Sequence, residues 1–289
     1  MSGGSAVEIS QKENGADFWK KKNKRIYTHA MGRRLKERRL ILPESYEKIE
    51  REALKNNVRL RTVCLPKQIE SIGVQAFMNC TSLYQIEYTD IVRIQREAFC
   101  GCNHLVSFLV PESTVLLGKG AFSYCRALQQ VEFAHRSRLK ELEAAVFEGC
   151  EKLQTVKLPE LLEHIGERAF YKCSGLSELH FPESVAYIGK EAFYQNGFLE
   201  LELPRGLQVI ETGAFSNCRK LEQVMIPESV RVLENRAFRG CHRLKTLEIH
   251  HDPERIGECI INRSTVVRCK AGSKVEAYCR KYEIQTVMI

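Results

Sequence analysis

Apolar residues in this chain recur with a long beat, not with the short periods of a single helix or strand. The pair Ala-Phe stands at Ala76-Phe77, Ala98-Phe99, Ala121-Phe122, Ala169-Phe170, Ala192-Phe193, Ala214-Phe215 and Ala237-Phe238. Ala53-Leu54, Val146-Phe147 and Ile260-Ile261 keep the same phase. From position 54 to position 261 the spacings are 23, 22, 23, 25, 23, 23, 22, 23 and 23, which defines ten coils. Three residues after the Phe position comes Cys80, Cys102, Cys125, Cys150, Cys173, Cys218 or Cys241, with Asn57 and Asn196 in two other coils. Eleven before it stands Pro43, Pro66, Pro111, Pro159, Pro182, Pro204 or Pro227, seven of the eight prolines.

The repeating unit is L-x-x-V-x-L-P-x-x-V-x-x-I-x-x-x-A-F-x-x-C-x-x, as in LQTVKLPELLEHIGERAFYKCSG. Its first six positions alternate as a short strand with one buried face does. Pro then lacks the N–H that would continue a ladder and bends the chain away. The A-F-x-x-C segment suits one or two turns of α- or 3-10 helix, with the small Ala allowing close approach between coils. One coil has too little apolar area to bury its own face, so the coils must stack. At roughly 4.8 Å per coil, ten of them make a rod or arc about 45–50 Å long.

The unit resembles the BspA-like, surface-antigen-type leucine-rich repeat of bacteria, over about residues 42–262. The fold expected is therefore a right-handed leucine-rich-repeat solenoid, an α/β repeat, with short strands on one face and short helical or 3-10 turns on the other. Residues 1–41 read as a basic, partly helical or disordered extension and cap. Residues 263–289 read as an α/β cap, because VVRCKAGSKVEAYCRKYEIQTVMI is similar to the family's usual ending: a last strand, a short helix at about 273–281 and a closing strand at 285–289. The resemblance implies a solenoid for binding, with adhesion to host or matrix proteins in some members.

Charge changes this picture only at one end. The net charge of the 289 residues is +8, yet residues 1–39 hold eleven Lys/Arg against four acids, leaving 33 basic and 32 acidic residues beyond them. The basic patch is Lys20, Lys21, Lys22, Lys24, Arg25, Arg33, Arg34, Arg38 and Arg39. Three readings of it stay open: a solvated lead-in to the first coil, a protein contact, or a contact with a polyanion or anionic membrane surface. No window approaches eighteen uninterrupted apolar residues, and no apolar core of a secretory signal precedes the repeats. As it stands the sequence predicts a cytoplasmic protein with reduced thiols. A chain trimmed of a leader would read the same, and would belong at the cell surface or outside.

Candidate chemistry is sparse. Seven of the twelve Cys sit in the repeat phase and read as small buried hydrophobes; Cys64, Cys100, Cys259, Cys269 and Cys279 do not. No C-x-x-C pair occurs, and the loose grouping of His250, His251, Cys259 and Cys269 falls short of zinc-ligand spacing, so no metal or cofactor is expected. G-x-S-x-G, H-E-x-x-H, P-loop and G-x-G-x-x-G motifs are missing as well, and no enzyme is predicted. The outward positions of the strand face are more informative. They carry Glu87, Glu132, Glu178, His180, Glu200, Glu202, Met225 and Glu248, with six acids against the single Lys157. Such a strip is either a solvated sheet surface or an acidic face selecting a basic protein partner. Glu200 and Glu202 beside Glu178 crowd like charges on neighbouring strands, which costs stability.

Overall fold

The computed structural model describes residues 26–289 and, ahead of them, a two-residue strand, Val7–Glu8. The chain winds into a parallel β-solenoid of about eleven turns. In the coil that begins at Leu153, the strand Thr155–Lys157 lies on the front face. Pro159 then closes a corner by accepting from Leu162 N, 3.1 Å, and His164–Ile165 forms a second short strand on the next side. A turn segment carries Ala169, Phe170 and Cys173 back towards the front. Leu153, Val156, Leu158, Leu162, Ile165, Phe170 and Cys173 all point inward and are buried.

Second-side strands pair in two parallel runs. Ile26–Tyr27, Lys48–Ile49, Gln68–Ile72, Asp90–Ile94 and Leu116–Leu117 form one. Glu141–Leu142, His164–Ile165, Tyr187–Ile188, Val209–Ile210, Val232–Leu233 and Arg255–Ile256 form the other. The interruption falls at the coil of twenty-five residues, where the Phe122 and Phe147 rings stand 5.8 Å apart. At the other steps from Phe77 to Phe238 the rings stack at 5.2–5.3 Å.

The Ala-Phe segment does not run on as helix. Its turns are closed by i→i+3 bonds of the 3-10 kind, such as Ala76 N to Gly73 O, Met78 N to Gln75 O and Cys80 N to Phe77 O. Between these, the alternate amides point along the solenoid: Gln75 N to Arg96 O, Phe77 N to Ala98 O and Asn79 N to Cys100 O, at 2.7–3.0 Å. That alternation requires left-handed backbone two residues before and two after the Phe, and φ is 56° at Gln75 and 57° at Asn79. Glu97 and Gly101, Arg168 and Lys172, and Arg236 and Gly240 repeat the pair. Each coil therefore makes a third inter-coil ladder, without a strand.

Repeat-phase cysteines are more than small hydrophobes. Each of the seven donates its thiol to a main-chain carbonyl of the preceding coil at 3.1–3.3 Å: Cys80 to Leu54, Cys102 to Phe77, Cys125 to Phe99, Cys150 to Phe122, Cys173 to Phe147, Cys218 to Phe193 and Cys241 to Phe215. Asn196 makes the equivalent bond to Phe170 O through Nδ2, 2.7 Å, but its buried Oδ1 has no partner. Burial pushes the Cys80 thiol up to about 12 and raises Cys102, Cys125, Cys150, Cys173 and Cys218 in the same direction.

The ends are closed by helices. Helix α1, His29–Arg34, starts at Thr28, whose hydroxyl accepts from Met31 N. It lies so close to the first coil that a Cβ on Gly32 would sit 1.7 Å from Ala53 O. Helix α2, Lys274–Lys281, follows the strand Val266–Cys269 and precedes Thr286–Met288. Ser273 Oγ accepts from Glu276 N while the Glu276 carboxylate accepts from Gly272 N, a variant of the capping box. Val275, Tyr278 and Cys279 of α2 are buried against the last coil, where the Tyr278 hydroxyl accepts from Ile260 N at 3.0 Å.

Asn196→Cys keeps the donor and removes the orphaned oxygen, so the variant should gain about 1 kcal/mol, and Cys173→Asn should lose a similar amount. Urea unfolding of both variants checks this, and a destabilised Asn196→Cys contradicts it. In the native protein only Cys64 and Cys259, both partly exposed, should react quickly with a thiol reagent at pH 8, the other ten waiting for unfolding. Burial raises the folded pKa of Cys80, Cys102, Cys125, Cys150, Cys173 and Cys218, so the contribution of these thiols to stability is complete below the unfolded value of about 8.5 and is lost as pH climbs towards 12. The urea midpoint should accordingly fall between pH 8 and pH 10.5.

Candidate functional site

The front face is built of parallel strands, but its ladder is not continuous. Val7–Glu8, Arg39–Ile41, Thr62–Cys64 and Gln85–Glu87 make one sheet. Ser107–Val110, Gln130–Phe133 and Thr155–Lys157 make a second. Gln223–Ile226, Thr246–Ile249, Val266–Cys269 and Thr286–Met288 make a third. In repeat phase, residues 178–181 and 200–203 occupy the places between the second and third sheets, and neither segment forms a strand. The second-side strands and the Ala-Phe ladder pass through these same coils unbroken: Ile165 pairs with Ile188 and Ile188 with Ile210, and Phe193 N donates to Ala214 O. The opening is confined to the front.

Both gaps in the ladder are hollow. At the first, between Gln85–Glu87 and Ser107–Val110, the Tyr88 hydroxyl donates to Leu109 O at 2.6 Å and accepts from Leu109 N at 3.0 Å. Burial pushes Tyr88 up to about 12, which keeps that hydroxyl protonated. Glu87 and Glu132 flank a groove of about 490 Å3 here, with Leu109 half exposed. At the second gap lies a groove of about 730 Å3, where Glu178, His180, Glu200, Glu202 and Met225 come together with Phe181, Leu199 and Leu203. Met225 is 57% exposed and Leu199 54%. The two loops beyond it are tied by Arg205 N donating to a Glu183 carboxylate oxygen at 2.9 Å.

The carboxylates differ in their partners. Glu87 accepts from the Cys64 thiol, and Arg39 stands 3.9 Å away; burial and this carboxylate together raise Cys64. Glu132 is the register neighbour of Lys157 and accepts from Gln130. Glu248 is held by Arg268 at 2.9 Å and by His250 at 3.1 Å. Among the described residues Glu178 has only His180, 3.5 Å away. Glu200 and Glu202 have no hydrogen-bond or ion-pair partner among the described residues. Lys220, Arg243 and Lys245 line a neighbouring hollow with Glu200, and Lys245 is already bound to Glu222 at 2.8 Å.

Of the eight outward residues singled out by phase, the structure gathers Glu178, His180, Glu200, Glu202 and Met225 at one groove, with Glu248 in a shallow hollow beside it. Glu87 and Glu132 are at the other groove. Phase alone does not single out Tyr88, Phe181 and Leu203, which take the unit's sixth position, nor Leu199 or the Glu183–Arg205 tie. Of the basic patch, Arg33, Arg34, Arg38 and Arg39 are exposed, while Lys20, Lys21, Lys22, Lys24 and Arg25 lie outside the described residues. His250 and His251 diverge, towards Glu248 and Val230 O, and no group of three metal-ligating side chains exists among the described residues.

No helix among the described residues is long and apolar enough to cross a membrane. In comparisons with known proteins, no curated protein matches the chain. Among solved structures it is similar to a leucine-rich repeat protein from Bacteroides ovatus, with 21% identity over 81% of this chain and 71% of that one, and a TM-score of 0.60. It is similar also to a leucine-rich cell surface protein from Faecalibacterium prausnitzii, with 22% identity, coverage of 86% and 78%, and a TM-score of 0.51. The pneumococcal vaccine antigen PcpA shares 15% identity, with coverage of 87% and 79% and a TM-score of 0.54. These likenesses show the fold. The model of the BspA-type leucine-rich repeat region matches residues 19–129 and 140–268 in six copies, and the chain, whose stacked Phe rings and Cys thiols display that repeat coil after coil, belongs to this family.

Proposed function

We propose that the protein is a non-catalytic recognition scaffold that takes a basic protein partner on the front face, at the groove of Glu178, His180, Glu200, Glu202 and Met225. Leucine-rich-repeat proteins are generally protein-interaction scaffolds, and typically not catalysts. The observation that carries the choice of face is the pair Glu200 and Glu202, two unpartnered carboxylates beside the exposed Leu199 and Met225. An apolar anchor ringed by unsatisfied like charge is what a complementary surface discharges on binding. Glu87 and Glu132 at the first groove, and Glu248 at the edge of the second, are secondary contacts in this reading. The seven thiol-to-carbonyl bonds favour a reducing compartment, since oxidation would remove the donors.

The alternative rests on the basic segment: a polyanion or anionic membrane surface bound by Lys20, Lys21, Lys22, Lys24 and Arg25, with Arg33, Arg34, Arg38 and Arg39. Within it, Arg39 is engaged by Cys64 and faces Glu87, which leaves less of the patch free.

In a pulldown from cells of the source organism, the triple variant Glu178→Lys, Glu200→Lys, Glu202→Lys should lose the partner that the wild type recovers. Recovery should also decline as salt rises from about 50 to 500 mM. Equal recovery by the variant, shown folded by its thermal melt, would sink the proposed face. Neutralising Lys20, Lys21, Lys22, Lys24 and Arg25 should leave that recovery intact; if recovery vanishes together with retention on heparin, the alternative is the better account.

A further inference from the structure

The two gaps in the front ladder are finished differently. At the first, Tyr88 supplies with one hydroxyl the donor and the acceptor that a neighbouring strand would present to Leu109. At the second, no side chain does so. Leu199 N donates to Ser177 O at 3.2 Å; beyond that bond, no main-chain hydrogen bond joins 178–181 to 200–203, or either segment to Thr155–Lys157 or Gln223–Ile226. Both segments nonetheless keep a strand's alternation, with Leu179 and Leu201 buried and Glu178, His180, Glu200 and Glu202 outward. Among the described residues, two stretches with strand-like patterning thus leave amides and carbonyls unpaired, at a groove where Glu200 and Glu202 also stand without partners.

We infer that the second groove takes up a short extended segment of the partner, alternating basic and apolar residues, and holds it by main-chain hydrogen bonds to 178–181 and 200–203. This rests on the proposed front-face recognition and names its mode. Main-chain polar groups strongly favour being paired, and an unpaired extended segment is the receptor in β-strand addition. Each open segment offers four residues, so the bound stretch is about four to five residues long. Its basic side chains meet Glu178, Glu183, Glu200 and Glu202, against which the groove sets only Arg205 and His180. Its apolar side chains pack on Phe181, Leu199 and Met225. A globular basic surface would satisfy the charges but leave the main-chain groups open, and for that reason an extended segment is the better occupant.

The test uses the full-length protein and three labelled hexapeptides: Lys-Val-Arg-Val-Lys-Val, the same peptide with alternate amides N-methylated, and its Glu-for-Lys/Arg counterpart. Hydrogen exchange of the free protein should show the amides of 178–181 and 200–203 exchanging far faster than those of 223–226. The basic peptide should slow them specifically. Fluorescence anisotropy should give at least tenfold weaker binding for the N-methylated peptide and none for the acidic one. The Glu200→Lys, Glu202→Lys variant should bind the basic peptide at least tenfold more weakly. If the N-methylated peptide binds as tightly as its parent, or if protection appears elsewhere on the front face, main-chain capture is overturned while the charged face stands. No binding of the basic peptide and no protection also overturns it. The proposed face itself fails on a separate observation, equal partner recovery by the Glu178, Glu200 and Glu202 charge-reversal variant. The N-methylated arm uses unaltered protein, so misfolding of a variant cannot imitate the result.

Discussion

Every second amide of the Ala-Phe turn must reach the next coil, and the rest of the molecule is arranged around that requirement. Gln75, Phe77 and Asn79 donate along the solenoid while Ala76, Met78 and Cys80 close the turn locally, so no amide of the segment is left over. Such alternation needs left-handed residues on both sides of the Phe, each costing on the order of 1 kcal/mol where it is not glycine. The cost recurs in every coil and is offset by a ladder that strands do not provide. It also dictates side chains: the residue beside Phe must be small, the Phe rings must stack, and a slim donor must fill the position three residues on. Cys meets that last demand with one thiol. Asn meets it at Asn196 but brings an oxygen that finds no partner.

Because two ladders carry the stack, the front is free to fail locally. The twenty-five-residue coil shows the same tolerance on the second side, where Leu116–Leu117 and Glu141–Leu142 do not pair while Phe122 N still donates to Val146 O. Charge crowding that an isolated sheet would resist is therefore affordable at Glu178, Glu200 and Glu202. A repeat protein can vary its binding face most cheaply where the remaining contacts of the coil are independent of it.

The spacing of Phe, Cys and Pro made the coils, their number and the inward faces legible in the sequence, since each of those residues is locked in phase by stacking. The left-handed turns were not legible. Glycine marks some of the special positions, Gly101, Gly149 and Gly240 among them, but Glu97, Arg168 and Glu191 occupy others and carry no such signature. Nor was the opened front: LSELHF and FLELEL alternate as well as LQTVKL does, yet only the last forms a strand. Periodicity reports which way side chains face, and the two open segments still face the right way. The outward carboxylates could be read off for the same reason, whereas Phe181, Leu199 and the Tyr88 bridge depend on contacts between coils. Arg268, which neutralises Glu248, comes from the strand Val266–Cys269, beyond the last regular coil.

Where the front ladder is intact, its acids face a group on a neighbouring strand: Glu132 has Lys157 beside it in register, Glu248 binds Arg268, and Glu87 accepts from Cys64 with Arg39 beyond it. Where the ladder is open, Glu200 and Glu202 are answered by nothing among the described residues. A parallel strand brings a complementary side chain into range only together with the main chain that carries it, so pairing of charges and pairing of amides are lost at the same place. The extended segment inferred for this groove would bring both at once.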